Sequence, residues 1–490
     1  MLGPVIPRGL LSKQPTVMDD IYLKLYHALP PQARNLAASM RGLYLRSWRY
    51  GPESEQLIEA AIAREQWSAA RWTAYTQDRL SRVLSRAATE IPYYRNYWNG
   101  RRSRGDKGSW QDLQNWPILN KEAVRENPAA FVAEGCKLRG MFCEHTSGTT
   151  GTPLRVWSSK KTIRQWYALM EARWRRWYGV SKENRWAMIG GQVITPVTQR
   201  QPPFWVWNSG LNQLYMSSYH LTPRVIPYYF DALEKYSIEY IWGYSSSLYT
   251  LACEVLQQQR TLKMKVAIAN AEPLFDHQRS VIAEAFGCPV RETYGMCEMV
   301  AAASECQSNN LHLWPEVGCI ESLPAGQSNG NGMGELVCTS LLNEDMPLIR
   351  YRVGDMAIVG NGNADCSCGR SLPLISSLEG RSDDLLYTED GRVLGRLDPV
   401  FKGNIPIKNA QIIQETLHRV RVRYTPAVNF RHDAAESIAQ RLKARMGGIE
   451  VVLEELPDIP RDANGKFRAV ICNLSPEVKK RWAEAVPRYS

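Results

Sequence analysis

No stretch of the 490-residue chain stays apolar for anything near the ~18 residues that a membrane-spanning helix requires, which excludes a transmembrane helix. The opening segment, MLGPVIPRGLLSKQPTV, is broken by prolines and has no continuous apolar run, so it fits a secretory leader poorly and the cytosol is the expected compartment. Eleven cysteines are too sparse, and odd in number, for a disulfide scaffold; reduced thiols or a metal site fit better. There is no zinc-finger or RNP pattern to support a nucleic-acid role, no internal repeat and no low-complexity tract. What is present suits a globular protein: 44% hydrophobic and 22% charged residues, and a length that calls for one large domain with one or two smaller ones. The net charge of +11 is uneven, because residues 1–110 carry 17 Lys/Arg against 9 Asp/Glu. Such an excess is read either as a solvated basic face on helices or as attraction to an anionic membrane surface or substrate, so peripheral membrane contact stays open.

Residues 18–90 place apolar side chains at i, i+3 and i+4, as in SEQLIEAAIAREQW and DRLSRVLSRAATEI, and are expected to be helical. IPYYRNYWNGRRSRG interrupts that pattern with proline, glycine and aromatics, and residues 109–134 read as short helices. From 139 onward strand and helix patterns alternate: RGMFCEH and PLRVWSS, a helix from about Thr162 to Tyr178, then SIEYIWGY, SSLYTLACEVLQQQ, KVAIANAE and HQRSVIAEAFG. That alternation indicates an α/β class with a largely parallel sheet. Between 316 and 360 the pattern turns to glycine-rich short strands, a β-rich subdomain. After about 380 a small α+β module follows: RVRVRYTPAV alternates with period two, HDAAESIAQRLKARM is helical, and IEVVLEEL and GKFRAVICNL are strands.

The segment Thr146-Ser147-Gly148-Thr149-Thr150-Gly151-Thr152-Pro153 packs two glycines and five hydroxyls into eight residues, a donor-rich loop suited to phosphate oxygens. It is not a Walker A loop, and by itself it reads equally as an ordinary Ser/Thr/Gly hairpin loop. Downstream, in order, come Asn270-Ala271-Glu272-Pro273, Tyr294-Gly295-Met296-Cys297-Glu298, Arg350-Tyr351-Arg352-Val353-Gly354-Asp355, Gly380-Arg381-Ser382-Asp383-Asp384 and Pro460-Arg461-Asp462-Ala463-Asn464-Gly465-Lys466.

This ordered series resembles the adenylate-forming superfamily of acyl-CoA synthetases, peptide-synthetase adenylation domains and luciferases. Within it the chain looks most like the phenylacetate–CoA ligase branch and its capsule-biosynthesis relatives, on the IPYYR, NAEPL, CSCGR and GRLDPVFKGNIPIKNAQIIQ segments. The resemblance runs from about residue 45 to 475. It implies a large adenylate-forming domain, with a helical region at 1–110 and an ATP site within 111–380, and a small mobile domain at 381–490. It also implies ATP, Mg²⁺ and coenzyme A as cofactors. The reaction would be activation of a carboxylic acid as its acyl-adenylate, then transfer to coenzyme A. An amine or hydroxyl of a sugar or lipid-linked intermediate is the alternative acceptor, and an inactive nucleotide-binding partner the remaining reading.

Carried onto this chain, the 146–151 loop would hold the phosphates, Glu298 supplies a hard oxygen for Mg²⁺, and Tyr294 beside Gly295 offers a flat face to adenine. The turn at Asn270–Pro273 ends a strand, where α/β folds gather ligands, and Asp355 can accept both ribose hydroxyls. Lys466 would answer the charge that builds on the α-phosphate, and Arg381 and Asp383 match the hinge motif. Cys297, Val353, Asp462 and Leu154 depart from the common pattern without removing a group the chemistry needs. Trp205, Trp207, Tyr219, His220 and Tyr244 lie in the region where such proteins build the acyl pocket. Cys306, His312, Cys366 and Cys368 form a set able to close a tetrahedral zinc site, as some relatives do; reduced, partly buried thiols are the alternative.

Overall fold

The computed structural model describes residues 25–105, 109–145, 154–196, 198–272, 274, 276–324, 334–360, 366–379, 386–389, 393–394, 400, 407–426, 430, 432–457, 459, 470–475 and 477–478. Helices dominate the first part, at Pro31–Arg49, Ser54–Arg64, Ala69–Glu90 and Pro92–Arg102. The last of these differs from the expectation that IPYYR breaks the helical pattern. Pro92 stands at the first helical turn, where its missing N–H costs nothing, and Tyr94 and Trp98 turn one face inward. Trp98 stacks on Trp116, with centroids 5.0 Å apart. Many basic side chains of this region pair with carboxylates of the fold: Arg64 with Glu316, Arg79 with Glu344, Arg86 with Asp345 and Arg95 with Glu134. Part of the local positive charge is therefore answered within the structure, while Glu53, Glu55 and Glu65 of the same region pair with Arg164, Arg176 and Arg173 in return. No helix among the described residues is long and apolar enough to cross a membrane.

The centre is one twelve-stranded sheet. Five parallel strands, Val290–Gly295, Ala267–Asn270, Tyr240–Tyr244, Trp186–Gly190 and Gln213–Ser217, lie side by side in that order. Trp205–Asn208 closes one edge antiparallel. Beyond Val290–Gly295 the sheet continues antiparallel through Ala302–Glu305, Leu311–Leu313, Leu374–Glu379, Tyr351–Val359, Gly334–Ser340 and Gly318–Pro324. The β-rich stretch expected after 316 is thus the antiparallel wing of the same sheet. The inner parallel strands Ala267–Asn270, Tyr240–Tyr244 and Trp186–Gly190 are nearly continuous apolar runs, as burial on both faces requires, and helices Ser245–Gln257 and Asp276–Phe286 connect the strands from Tyr240–Tyr244 to Val290–Gly295. Helix Lys160–Trp174 begins at Ser159, whose side chain accepts the Thr162 N–H. Trp166, Trp174 and Trp314 meet on its buried side.

A separate four-stranded sheet orders Glu450–Glu455, Arg419–Pro426, Ile407–Thr416 and Val470–Cys472, with helix His432–Met446. The RVRVRY alternation is realised directly. Val420, Val422 and Tyr424 enter the small core, while Arg421 and Arg423 face outward onto Glu454. Among the described residues the other expected elements are present with boundaries moved by a few residues; residues 18–24 of the first expected helical stretch and 465–469 of GKFRAVICNL lie outside them.

Candidate active site and thiol–imidazole cluster

Tyr294 and Glu298 sit at the C-terminal end of Val290–Gly295, where the last parallel strand gives way to the antiparallel wing. Asp355 reaches them from the neighbouring wing by a bulge. On strand Tyr351–Val359, Arg352 is in register with Val337 and Met356 with Glu335, so Val353, Gly354 and Asp355 stand against Leu336 alone. Gly354 has φ +88, a conformation that suits a residue without Cβ. The bulge turns Asp355 so that the Tyr294 hydroxyl donates to its Oδ2 at 2.8 Å. The proposed adenine and ribose residues therefore meet, although 61 positions separate them.

Glu298 is buried. Its Oε1 accepts from Lys121 Nζ at 3.1 Å and from the Tyr351 hydroxyl at 2.9 Å. Burial alone would push its carboxyl pKa up; the Lys121 charge and hydrogen bond outweigh it and hold the group below the ordinary carboxylate value. Lys121 is itself placed by the backbone before it. Leu119 forms a bridge with Tyr351, its N–H on the Arg350 carbonyl and its carbonyl accepting from the Arg352 N–H, both at 2.9 Å.

Asn270 ends the strand next to Val290–Gly295, opposite Thr293. Its amide nitrogen faces the Gly243 carbonyl at 2.9 Å and its oxygen the Trp242 indole N–H at 3.2 Å, so this side chain is tied into the sheet. The following backbone is what remains for a base: Ala271 has φ +66 and the Glu272 carbonyl accepts from Ser245 Oγ. Strands Phe142–His145 and Arg155–Ser158 pair antiparallel with His145 opposite Arg155, and the Cys297 thiol lies 3.7 Å from the His145 carbonyl. The ends of the expected phosphate loop are thus beside Glu298. Thr146, Ser147, Gly148, Thr149, Thr150 and Gly151 themselves, with Pro273, Arg381, Asp383 and Lys466, lie outside the described residues.

Of the expected acyl-pocket residues, Trp205 and Trp207 stand on the antiparallel edge strand and pack on Tyr229 and Tyr236 of helix Ile226–Lys235 and its end. Tyr219 and Tyr244 instead reach the C-terminal end of Trp186–Gly190, where the Tyr219 hydroxyl donates to the Gly191 carbonyl and the Gly191 N–H donates to the Tyr244 hydroxyl. Arg445 of the smaller unit lies over the Tyr219 ring.

Glu292 shares the strand of Tyr294. Burial and the neighbouring Glu305 carboxylate push its carboxyl up to about 7, against the opposing pull of Arg279 and the Leu274 N–H. A carboxyl that holds its proton more tightly folded than unfolded loses stability as pH rises from about 4.5 to about 7. Glu292→Gln is therefore expected to exceed the parent chain in urea midpoint at pH 8 and to match it at pH 4.

The second constellation is also assembled. The ligand atoms of Cys306, His312, Cys366 and Cys368 lie within 4.8 Å of one another. Cys306 and Cys366 sulfurs are 3.6 Å apart, and Cys368 Sγ is 3.4 Å from His312 Nε2. A tetrahedron with ~2.3 Å arms has edges of ~3.7 Å, whereas a disulfide would bring sulfurs to ~2.05 Å, so the spacing excludes a disulfide and is wide enough to admit a metal ion. His312 Nδ1 lies 3.0 Å from the Leu372 carbonyl, which places the proton there and leaves Nε2 for a ligand bond. Burial raises the Cys366 thiol pKa, but N–H donors from Cys368 and Asn310 outweigh it and favour the thiolate. The donor set fits zinc.

Sequence reasoning missed Lys121 and the role of Tyr351. Tyr351 belongs to one of the ordered motifs, but its partner is fixed only by the sheet. Lys121 is 177 positions from Glu298 and carries no local signal.

A family model described as the CapK C-terminal domain matches residues 385–473. Protein CapK of Staphylococcus aureus is 26% identical over 379 residues, covering 76% of this chain and 82% of that protein. Phenylacetate-coenzyme A ligase of Thermus thermophilus is 24% identical over 449 residues, covering 81% and 96%. The crystal structure of 2-hydroxyisobutyryl-CoA ligase in complex with R3-HIB-AMP superimposes with a TM-score of 0.51 at 19% identity, over 86% of this chain and 94% of that one, a likeness of fold. By sequence the chain is similar to CapK and to phenylacetate-coenzyme A ligases, and its C-terminal unit matches the CapK C-terminal domain.

Proposed function

We propose that this chain is an AMP-forming carboxylate ligase, and that Tyr294, Glu298, Tyr351 and Asp355 mark its nucleotide site. The observation that carries the reading is their convergence. Two distant motifs meet through Tyr294–Asp355 and Glu298–Tyr351 hydrogen bonds, at the strand ends where α/β folds bind ligands. In the first step a substrate carboxylate oxygen attacks the α-phosphorus of ATP, and the bond to pyrophosphate breaks. In the second an acceptor attacks the acyl carbon and expels AMP. Glu298 would hold Mg²⁺, which when bound neutralises charge on the phosphates. The 146–151 loop would donate N–H and O–H groups to those oxygens. Asp355, oriented by Tyr294, would accept the ribose hydroxyls, and the Ala271–Glu272 backbone with Pro273 would border the base. Lys466 would stabilise the pentavalent α-phosphate, while Arg381 and Asp383 would let the small unit, at 381–490, turn between steps. Cys306, His312, Cys366 and Cys368 would hold a structural zinc ion with no open position.

Coenzyme A is the favoured acceptor, in keeping with the ligases among the relatives. The CapK likeness of the C-terminal unit favours testing an amine or hydroxyl acceptor beside it. A panel of aryl, fatty and amino acids, assayed for carboxylate-dependent pyrophosphate release, tests the first step. At least one acid is expected to release pyrophosphate, and Glu298→Gln to abolish most of it. Thioester appearing with coenzyme A would fix the acceptor. Pyrophosphate release from none of the panel, by folded protein that binds ATP, would favour an inactive nucleotide-binding partner.

A further inference from the structure

The Lys121–Glu298 pair is an unusual place for a lysine. The carboxylate proposed to receive a divalent cation already carries a cation, and both groups are largely enclosed, with side-chain exposures of 18% and 7%. The contact is not a chance surface encounter. The Leu119–Tyr351 bridge clamps the backbone two residues before Lys121, and Tyr351 donates to the same Glu298 oxygen, Oε1. A buried carboxylate left without a partner is strongly disfavoured, so a site that must present one to an incoming ion needs something to hold it meanwhile. A lysine suits that role: a compact charge on a flexible four-carbon stem that can leave one partner for another without breaking the fold.

We infer that Lys121 is the resting counter-ion of Glu298: its ammonium occupies the carboxylate in the empty enzyme, yields it when the divalent ion enters, and moves onto the triphosphate oxygens. This rests on Glu298 being the cation ligand. Lys121 is a positioning residue in the empty state and a phosphate ligand in the loaded one. The exchange leaves no charge unpaired, since the divalent cation takes the place of the ammonium on Glu298 while the released ammonium meets the anion that arrives with it.

The test uses the full chain and a thermal melt without nucleotide. Lys121→Met should lower the midpoint, because it strands a buried carboxylate. Glu298→Gln should lower it too, by stranding the ammonium. The double variant, with neither charge, should recover more than half of the loss caused by Lys121→Met. Adding magnesium chloride alone should then raise the midpoint of Lys121→Met, with wild type and the double variant unmoved, because only that variant offers a vacant carboxylate. If Lys121→Met does not fold, the double variant still decides: it folds if the two charges compensate each other, and fails if Lys121 merely packs. Additive losses in the double variant, or an equal magnesium response in all chains, would overturn the inference. Full pyrophosphate release by Glu298→Gln would instead overturn the reading of the site, while a recovered double variant would leave the ion pair standing.

Discussion

Lys466→Ala is expected to lower carboxylate-dependent pyrophosphate release by ~10²–10³-fold, the scale for one well-placed electrostatic donor, while ATP binding measured by calorimetry stays nearly unchanged. The place of the lysine in the chain sets when it acts. Lys466 falls in sequence between strand Glu450–Glu455 and strand Val470–Cys472, both of which belong to the small sheet, the latter pairing in parallel with Ile407–Thr416. Asp383, the proposed hinge, falls between Leu374–Glu379 of the large sheet and Leu386–Tyr387, where the separate core of the small unit begins. If the small unit turns there, Lys466 meets the α-phosphate only during adenylation. Its removal then takes away stabilisation that exists only in that transition state, and kcat and kcat/KM fall together. Transfer to the acceptor from chemically prepared acyl-adenylate is expected to survive. Equal damage to both half-reactions would make the loop structural and remove the case for rotation.

The sequence disclosed those parts of the fold whose pattern is local. RVRVRYTPAV alternates because one face of its strand enters a small core and the other meets Glu454, and KVAIANAE is apolar because it lies in the middle of a parallel sheet. The motif residues Tyr294 and Asp355 were also legible, yet their mutual hydrogen bond was not. It depends on a three-against-one bulge, and the register of that bulge is set by the pairing with Gly334–Ser340. Pro92 misled because proline ends a helix when inside it and begins one when at its first turn. Lys121 stayed invisible for a different reason. One lysine in PILNKEAVREN is like many others until a parallel bridge from Leu119 sets it against a carboxylate 177 positions away. Pair-specific electrostatics between distant segments is the part of a site that residue types and spacing leave undetermined.

Protein purified without added zinc is expected to contain about one zinc ion per chain by elemental analysis. Cys366→Ser with Cys368→Ser is expected to lose that ion and to melt well below the parent. The size of the effect follows from what the cluster ties together. His312 lies on the Leu311–Leu313 strand of the main sheet, Cys306 just beyond Ala302–Glu305, and Cys366 and Cys368 on the segment that leads to Leu374–Glu379. That segment is held to the helical region as well: Arg370 Nε donates to Glu65 at 2.9 Å, and the Ser371 N–H to the Glu65 carbonyl at 2.9 Å. Trp177 stands edge-on to His312, lies under Arg370 and donates to the Glu65 carboxylate. Glu65 in turn faces Arg173, which is fully buried and doubly bonded to Glu316. A metal joining four side chains at this corner would therefore brace the sheet, the thiol-bearing segment and the helices at once. Binding free energy at such a site is folding free energy, so chelation should lower the melting temperature in step with zinc removed. The residues proposed to hold the nucleotide lie away from this corner, Tyr294 and Asp355 on other strands, so whatever activity remains is expected to keep its ATP affinity until the chain melts. Well-folded, active protein free of zinc would refute the cage and leave four reduced side chains packed in a corner of the sheet.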